Sequence, residues 1–149
     1  MSLTKIDDFV GEFDFLSNFY PVNIRYDGMT YPSTEHAYQA HKTLDKELRK
    51  KIRDAPNAGS AKRLGRKIAL RPGWDGMKLE IMRELVHIKF QDPTLREKLL
   101  ATGRAQLIEG NSWKDRFWGV YEGKGKNWLG RLLMEEREAY FHFLRLIFI

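Results

Sequence analysis

Apolar and polar positions along the 149-residue chain follow two periods, and the switches between them mark its elements. From Phe13 to Tyr31 the pattern reads as extended. Val22, Ile24 and Tyr26 alternate with polar residues, Asp27-Gly28 supplies a tight turn, and Met29-Thr30-Tyr31 forms the return strand. Pro32 ends this ribbon, and Ser33 or Thr34 caps a helix over about Glu35 to Leu44. Asp45 caps a second, charged helix reaching Asp54, which Pro56-Asn57-Ala58-Gly59 breaks. A short helix around Ala61 to Arg66 and a loop through Arg71-Pro72-Gly73 follow. Helical spacing is clearest from Trp74 to Phe90, where Trp74, Met77, Ile81, Met82, Leu85, Ile88 and Phe90 form a mostly one-sided apolar stripe. Asp92-Pro93 opens the next helix, and Gly103 suits its left-handed stop. Gln106 to Glu109 reads as a short strand, Asn111 to Lys126 as a polar and aromatic loop. A last long helix begins near Asn127 with Leu129, Leu132, Leu133 and Tyr140 on its inner side.

Helices therefore dominate around a small antiparallel sheet, an α+β class, and the length fits a single domain over 1–149. There is no βαβ alternation, which argues against a doubly wound fold. With 42% hydrophobic and 13% aromatic residues the composition is that of a packed globule. The chain has no cysteine, which excludes disulfides, thiolate metal sites and cysteine nucleophiles. The first residues lack the apolar run of a signal peptide. Phe141 to Ile149, the most apolar stretch, is far shorter than the roughly 20 residues a membrane helix needs, so the expectation is a soluble, cytoplasmic protein. A net charge of +6 favours anionic partners, although a solvated surface with surplus lysine has the same signature.

Two segments are candidates for chemistry. In Thr34-Glu35-His36-Ala37-Tyr38-Gln39-Ala40-His41-Lys42, the residues Glu35, Gln39 and Lys42 stand at i, i+4 and i+7, with Tyr38 beside them. This is either a face for a polar ligand or an exposed stripe whose first-turn Glu complements the helix dipole. The loop from Glu122 to Gly130 brings glycines, Lys124 and Lys126 to a helix start, as a phosphate site or a plain surface turn would. It is not a P-loop, and the dinucleotide spacing is absent. Aromatics including Phe19, Trp74, Trp113 and Trp118 crowd polar loops, where they stack a base or sugar or cover the core; Glu109 and Asp115 flank the same region. The four histidines have no HxxxH or HExxH spacing, so no metal site is expected, and no GxSxG elbow is present.

Taken in order, several of these segments resemble one family. Phe15-Leu16-Ser17-Asn18-Phe19-Tyr20-Pro21 is similar to its opening signature, and Tyr31-Pro32-Ser33-Thr34-Glu35-His36-Ala37-Tyr38-Gln39-Ala40-His41-Lys42 to its helix start. Leu64-Gly65-Arg66, Arg71-Pro72-Gly73-Trp74-Asp75, Trp118-Gly119 and Gly125-Lys126-Asn127-Trp128-Leu129-Gly130-Arg131 complete the match. The resemblance is to the NADAR, or YbiA-like, family of N-glycosidases, from about Phe13 to Arg137. It implies a mostly helical α+β fold that hydrolyses ribosyl N-glycosides with no metal or other cofactor. The implied substrates are ADP-ribose on guanine in DNA or RNA, where members act as antitoxins, or phosphorylated ribosylamino-pyrimidines of riboflavin synthesis. The implied partners are thus ADP-ribose or a ribose phosphate and ADP-ribosylated DNA or RNA, with no membrane.

Carried over residue by residue, the resemblance makes Glu35, Lys42 and Asp115 catalytic. It sets Ser17, Asn18, Phe19, Tyr38, Gln39, Arg66, Trp74, Trp118, Gly119, Lys124 and Asn127 around the substrate. Lys42 is an electrophile-trapping amine or a phosphate ligand. Beyond these motifs, the apolar tail after Tyr140 is read as a docking helix or a self-association surface. Two rivals remain: a non-enzymatic ADP-ribose or nucleotide reader, and a general nucleic-acid binder driven by charge.

Overall fold

A computed structural model describes residues 3–148. In chain order its elements are β1 (Lys5–Ile6), a 3-10 helix (Gly11–Leu16), β2 (Pro21–Tyr26), β3 (Met29–Ser33), α1 (Thr34–Ala40), α2 (Lys46–Arg53), α3 (Ala58–Gly65), α4 (Trp74–Lys89), α5 (Pro93–Ala101), β4 (Gln106–Leu107) and α6 (Trp128–Ile147). The architecture is helix-rich α+β. Residues 18–89 form one compact unit, and the segments before and after them form another.

In the unit of residues 18–89, β2 and β3 form an antiparallel hairpin with Ile24 opposite Tyr31 and Tyr26 opposite Met29. Both turn residues, Asp27 and Gly28, have positive φ (48° and 82°), the backbone whose twist matches that of the flanking strands. Ile24 and Tyr31 are buried and share one face. The hairpin leads directly into α1, whose seven residues are all buried, with α2, α3, α4 and the hairpin packed around it. Such a short helix is marginal alone, and its packing sustains it. Ser33 caps it: its hydroxyl oxygen accepts the His36 N–H at 3.1 Å. Nε2 of His36 lies 3.1 Å from the Ala55 carbonyl, which can only accept, so the proton sits on Nε2 and Nδ1 accepts from the Ser33 hydroxyl at 2.6 Å. Asp45 caps α2 and Asn57 caps α3 through their side chains.

In the other unit, β1 and β4 pair in parallel, Lys5 opposite Gln106 and Ile6 opposite Leu107. Ile6, Phe15, Leu16, Phe90, Leu95, Leu99, Leu107, Leu129, Leu132 and Leu133 supply its core. Asp92 caps α5 by accepting from the Thr94 and Leu95 amides, and Gly103 follows with φ 64°. Arg137 is buried, but its guanidinium donates to Thr102 Oγ1 and to the Ala105 carbonyl. The apolar tail past Tyr140 continues α6 and exposes Phe143, Leu146, Ile147 and Phe148.

Several boundaries differ from the sequence pattern. Gly11–Leu16 is a 3-10 helix rather than the start of an extended run; it buries the adjacent residues Phe15 and Leu16 together, which a strand with one covered face cannot do. Pro32 lies inside β3, where a two-stranded ribbon tolerates its missing N–H. Helix α1 stops at Ala40, so Lys42 lies in the turn beyond it. Helix α3 starts at Ala58, because Asn57 caps there instead of breaking the chain: its Oδ1 accepts the Ser60 N–H at 2.8 Å. The strand foreseen over Gln106 to Glu109 stops at Leu107, and its parallel partner lies near the start of the chain.

Candidate active site

Within residues 18–89, the first turn of α1 and its surroundings assemble one polar cluster. The Glu35 N–H donates to the Asn18 carbonyl at 3.0 Å, tying the α1 start to the segment before the hairpin. The Glu35 side chain is buried, and its Oε1 accepts from Gln39 Nε2 at 2.7 Å. An i, i+4 pair on one helix is thereby turned inward. Tyr38 packs on Trp74 with ring centroids 5.3 Å apart, and Lys42 Nζ sits 5.7 Å from the Tyr38 centroid. Burial pushes the Lys42 ammonium below its ordinary range; Glu35 opposes this, and Arg66, Lys62 and Lys78 reinforce it. Lys42 is thus coupled electrostatically to one buried carboxylate and to three further cations. Phe19 is exposed and lies beneath Lys62 Nζ, 5.9 Å from its centroid, while Asn18 donates its side-chain amide to Met82 Sδ at 3.6 Å.

Residues 109–131 form a second polar region, in the other unit. Asp115 Oδ1 accepts from the Phe117 and Trp118 amides at 3.0 and 2.8 Å, and Asn111 bridges to the Asp115 backbone on both its N–H and its carbonyl. One Asp115 oxygen is therefore committed to shaping the loop. Gly119 is buried against Glu109: a Cβ there would meet Glu109 Oε2 at 1.7 Å. The amides of Asn127, Trp128 and Leu129 donate to the carbonyls of Gly119, Phe117 and Trp118. These amides at the start of α6 are thus already satisfied within the protein. Lys124 is exposed in the tight turn from Tyr121, and Asn127 bridges Leu107 and Glu109. Ser17 donates its N–H to the Asp14 carbonyl at the end of the 3-10 helix. Trp118 meets Phe117 edge-on at 4.7 Å.

A family model for the NADAR domain matches residues 8–140. The chain belongs to the NADAR family. N-glycosidase YbiA of Escherichia coli K12 is 44% identical over 136 residues, covering 89% of this chain and 82% of that protein. An N-glycosidase of Nostoc punctiforme is 40% identical over 137 residues, covering 87% of both. A riboflavin biosynthesis protein of Vibrio vulnificus is 45% identical over 128 residues, covering 83% of this chain and 35% of that protein; this chain spans about a third of that relative's length. The NMR structure of Escherichia coli YbiA matches with a TM-score of 0.83 at 38% identity, over 98% of this chain and 90% of that one.

For this NADAR chain, the structure pairs Glu35 with Gln39 and joins Tyr38 to Trp74 and Lys42, while Glu35 and Arg66 act on Lys42 electrostatically. Asn18 joins them by its backbone, and Phe19 through Lys62. Ser17, Asp115, Trp118, Gly119, Lys124 and Asn127 belong to the other unit. Lys62 and Lys78 were missed by sequence reasoning. A signal existed: Lys62 and Arg66 are four apart on α3, and Lys78 lies one turn after Trp74 on α4, so each shares a face with a residue already singled out.

Proposed function

We propose that this chain is an N-glycosidase that hydrolyses the C–N bond joining a phosphorylated ribose or ADP-ribose to a base or amine, and that it removes ADP-ribose from guanine in nucleic acid. The observation that carries this reading is the buried Glu35 carboxylate, held by the Gln39 amide and coupled to Lys42, which Arg66, Lys62 and Lys78 also influence. The names of the relatives from Escherichia coli and Nostoc punctiforme support the bond class. In this reaction the C–N bond breaks through an oxocarbenium-like state that the Glu35 carboxylate stabilises. Water oxygen bonds to the anomeric carbon, Glu35 accepts the water proton, and the departing nitrogen takes a proton, ultimately from solvent. The cations hold the phosphates, and Tyr38 and Trp74 form an aromatic wall.

A lowered Lys42 pKa supports a variant of this route. Here the opened sugar is attacked at its first carbon by neutral Lys42, the amine leaves, and water hydrolyses the resulting Schiff base. The match to a riboflavin biosynthesis protein supports a second substrate, a ribosylamino-pyrimidine phosphate.

The test is incubation with ADP-ribosylated guanosine, free and within an oligonucleotide, with ADP-ribose release read by mass spectrometry. Release is expected to fall by at least about a hundredfold in Glu35→Gln, with ligand binding retained. Borohydride capture of sugar on Lys42 selects the Schiff-base route, and its absence removes that route. No release from either form, with turnover of the ribosylamino-pyrimidine phosphate, moves the assignment to that substrate. Ligand binding without turnover of any of these compounds leaves a non-catalytic reader.

A further inference from the structure

We infer that Gly65, at the end of α3, is a positioning residue: it forms the seat that holds the Gln39 amide against the Glu35 carboxylate. Gly65 is helical and its φ lies outside the left-handed region, so the backbone does not require glycine there. Glycine at a helical position is less favourable than alanine. What demands it is space. A Cβ on Gly65 would stand 1.9 Å from Gln39 Oε1, 2.7 Å from Cδ and 3.0 Å from Cβ. The side chain it would strike is rigidly enclosed rather than a free tip, because Gln39 is 3% exposed.

The two ends of the Gln39 amide are used unequally. Nε2 donates to Glu35 Oε1 at 2.7 Å, whereas Oε1 is buried with no hydrogen-bond partner. Leaving a buried carbonyl unpaired costs free energy that the fold accepts only where the geometry is otherwise fixed. Reversing the amide would aim its oxygen at the carboxylate, so the N–H orientation is dictated by Glu35. The oxygen is then left lying over the Cα of Gly65, where any larger residue would expel it. Helix α3 thereby sets the rotamer of residue 39, and residue 39 sets the carboxylate. Beside the substrate-binding role expected of it, Gln39 orients Glu35.

The inference rests on Glu35 being the catalytic carboxylate only for its activity readout. The experiment therefore pairs kinetics with carbon-detected NMR titration of the Glu35 carboxyl in the unliganded protein, comparing the parent with Gln39→Ala, Gly65→Ala and the double variant. An N–H donor favours the charged form, so its loss raises the titration midpoint, by about one pH unit for a charge-assisted bond. Both single variants are expected to show this rise, and the double variant no more than Gln39→Ala alone. Turnover should follow, with kcat lowered about tenfold or more and KM nearly unchanged. A glycine needed merely for helix packing predicts the opposite: Gly65→Ala lowers the melting temperature in either background and leaves the midpoint in place. That result, or an unshifted midpoint in Gln39→Ala, overturns the inference. Gln39→Ala removes atoms rather than adding them, so it remains a valid test if Gly65→Ala fails to fold. A shifted midpoint in a protein that turns over no glycoside upholds the seat and overturns the proposed function.

Discussion

His41 shows how strongly burial can act on one residue. It is 3% exposed, its ring faces Tyr26 and Tyr31 at centroid distances of 4.6 and 6.0 Å, and Nε2 has no hydrogen-bond partner. Burial drives its pKa down to about 4; Arg49 and Arg71 push the same way, and Asp27 opposes them. The unfolded chain protonates near the ordinary value of about 6.5, while the folded chain stays neutral until about pH 4. Stability from His41 is thus fully present above pH 6.5 and is lost as pH falls through that window, by at most about 3 kcal/mol. His36, also pushed down by burial, adds in the same direction. Urea unfolding at stepped pH should show His41→Phe flatter than the parent across this window; parallel curves would refute the assignment. The Lys42 shift is of the same origin, burial again lowering the pKa of a cationic group.

Among the elements, α6 is started in an unusual way. Asn127 occupies its N-cap position with φ 55° and makes no side-chain cap. Its amide instead donates to the Leu107 carbonyl at 2.9 Å and accepts the Glu109 N–H at 2.9 Å, binding the helix start to β4. Gly130 permits this approach, since a Cβ there would meet the Leu107 carbonyl at 2.1 Å. Asn127→Ala loses both bonds and puts alanine in the left-handed region, for a cost of about 3 kcal/mol. Asn127→Gly loses the bonds but not the backbone fit, and should cost about 1 kcal/mol less. Equilibrium denaturation of the two variants tests the difference; equal losses would show that the left-handed backbone contributes nothing. The sequence placed a helix start at this asparagine correctly. The role of its side chain depended on β4, which lies well upstream.

At the scale of the whole molecule, the charge is divided unevenly. Residues 18–89 hold fifteen Lys and Arg against eight Asp and Glu, a net +7, while the rest of the chain holds eleven against twelve, a net −1. The overall +6 therefore belongs to the unit that carries Glu35 and Lys42. A field of one sign attracts anionic ligands and is screened by salt. ADP-ribose binding, measured by calorimetry, is expected to weaken several-fold between about 50 and 500 mM NaCl. Arg66→Ala should weaken binding at low salt and flatten that dependence. Affinity indifferent to salt would show that the cations around Lys42 do not hold the phosphates. Among the described residues no helix is long and apolar enough to cross a membrane.

The features legible in the sequence are those decided within a few residues. Asp27-Gly28 imposes a tight turn by its backbone preference, Asp45 and Asp92 cap helices with their own side chains, and the stripe from Trp74 gives α4 almost to the residue. The start of the helix carrying Glu35, Tyr38 and Gln39 was legible from its Ser33 cap, although packing is what sustains so short a helix. Tertiary structure decided what depends on groups far apart in the chain. It paired β1 with a strand about 100 residues away, and closed the first α6 amides with carbonyls of the preceding loop. It also gathered Lys62, Arg66 and Lys78 around Lys42, and set a helical glycine against the Gln39 amide. Local propensity cannot encode such contacts, because each exists only once packing has supplied a partner and compensated the entropy of bringing it close.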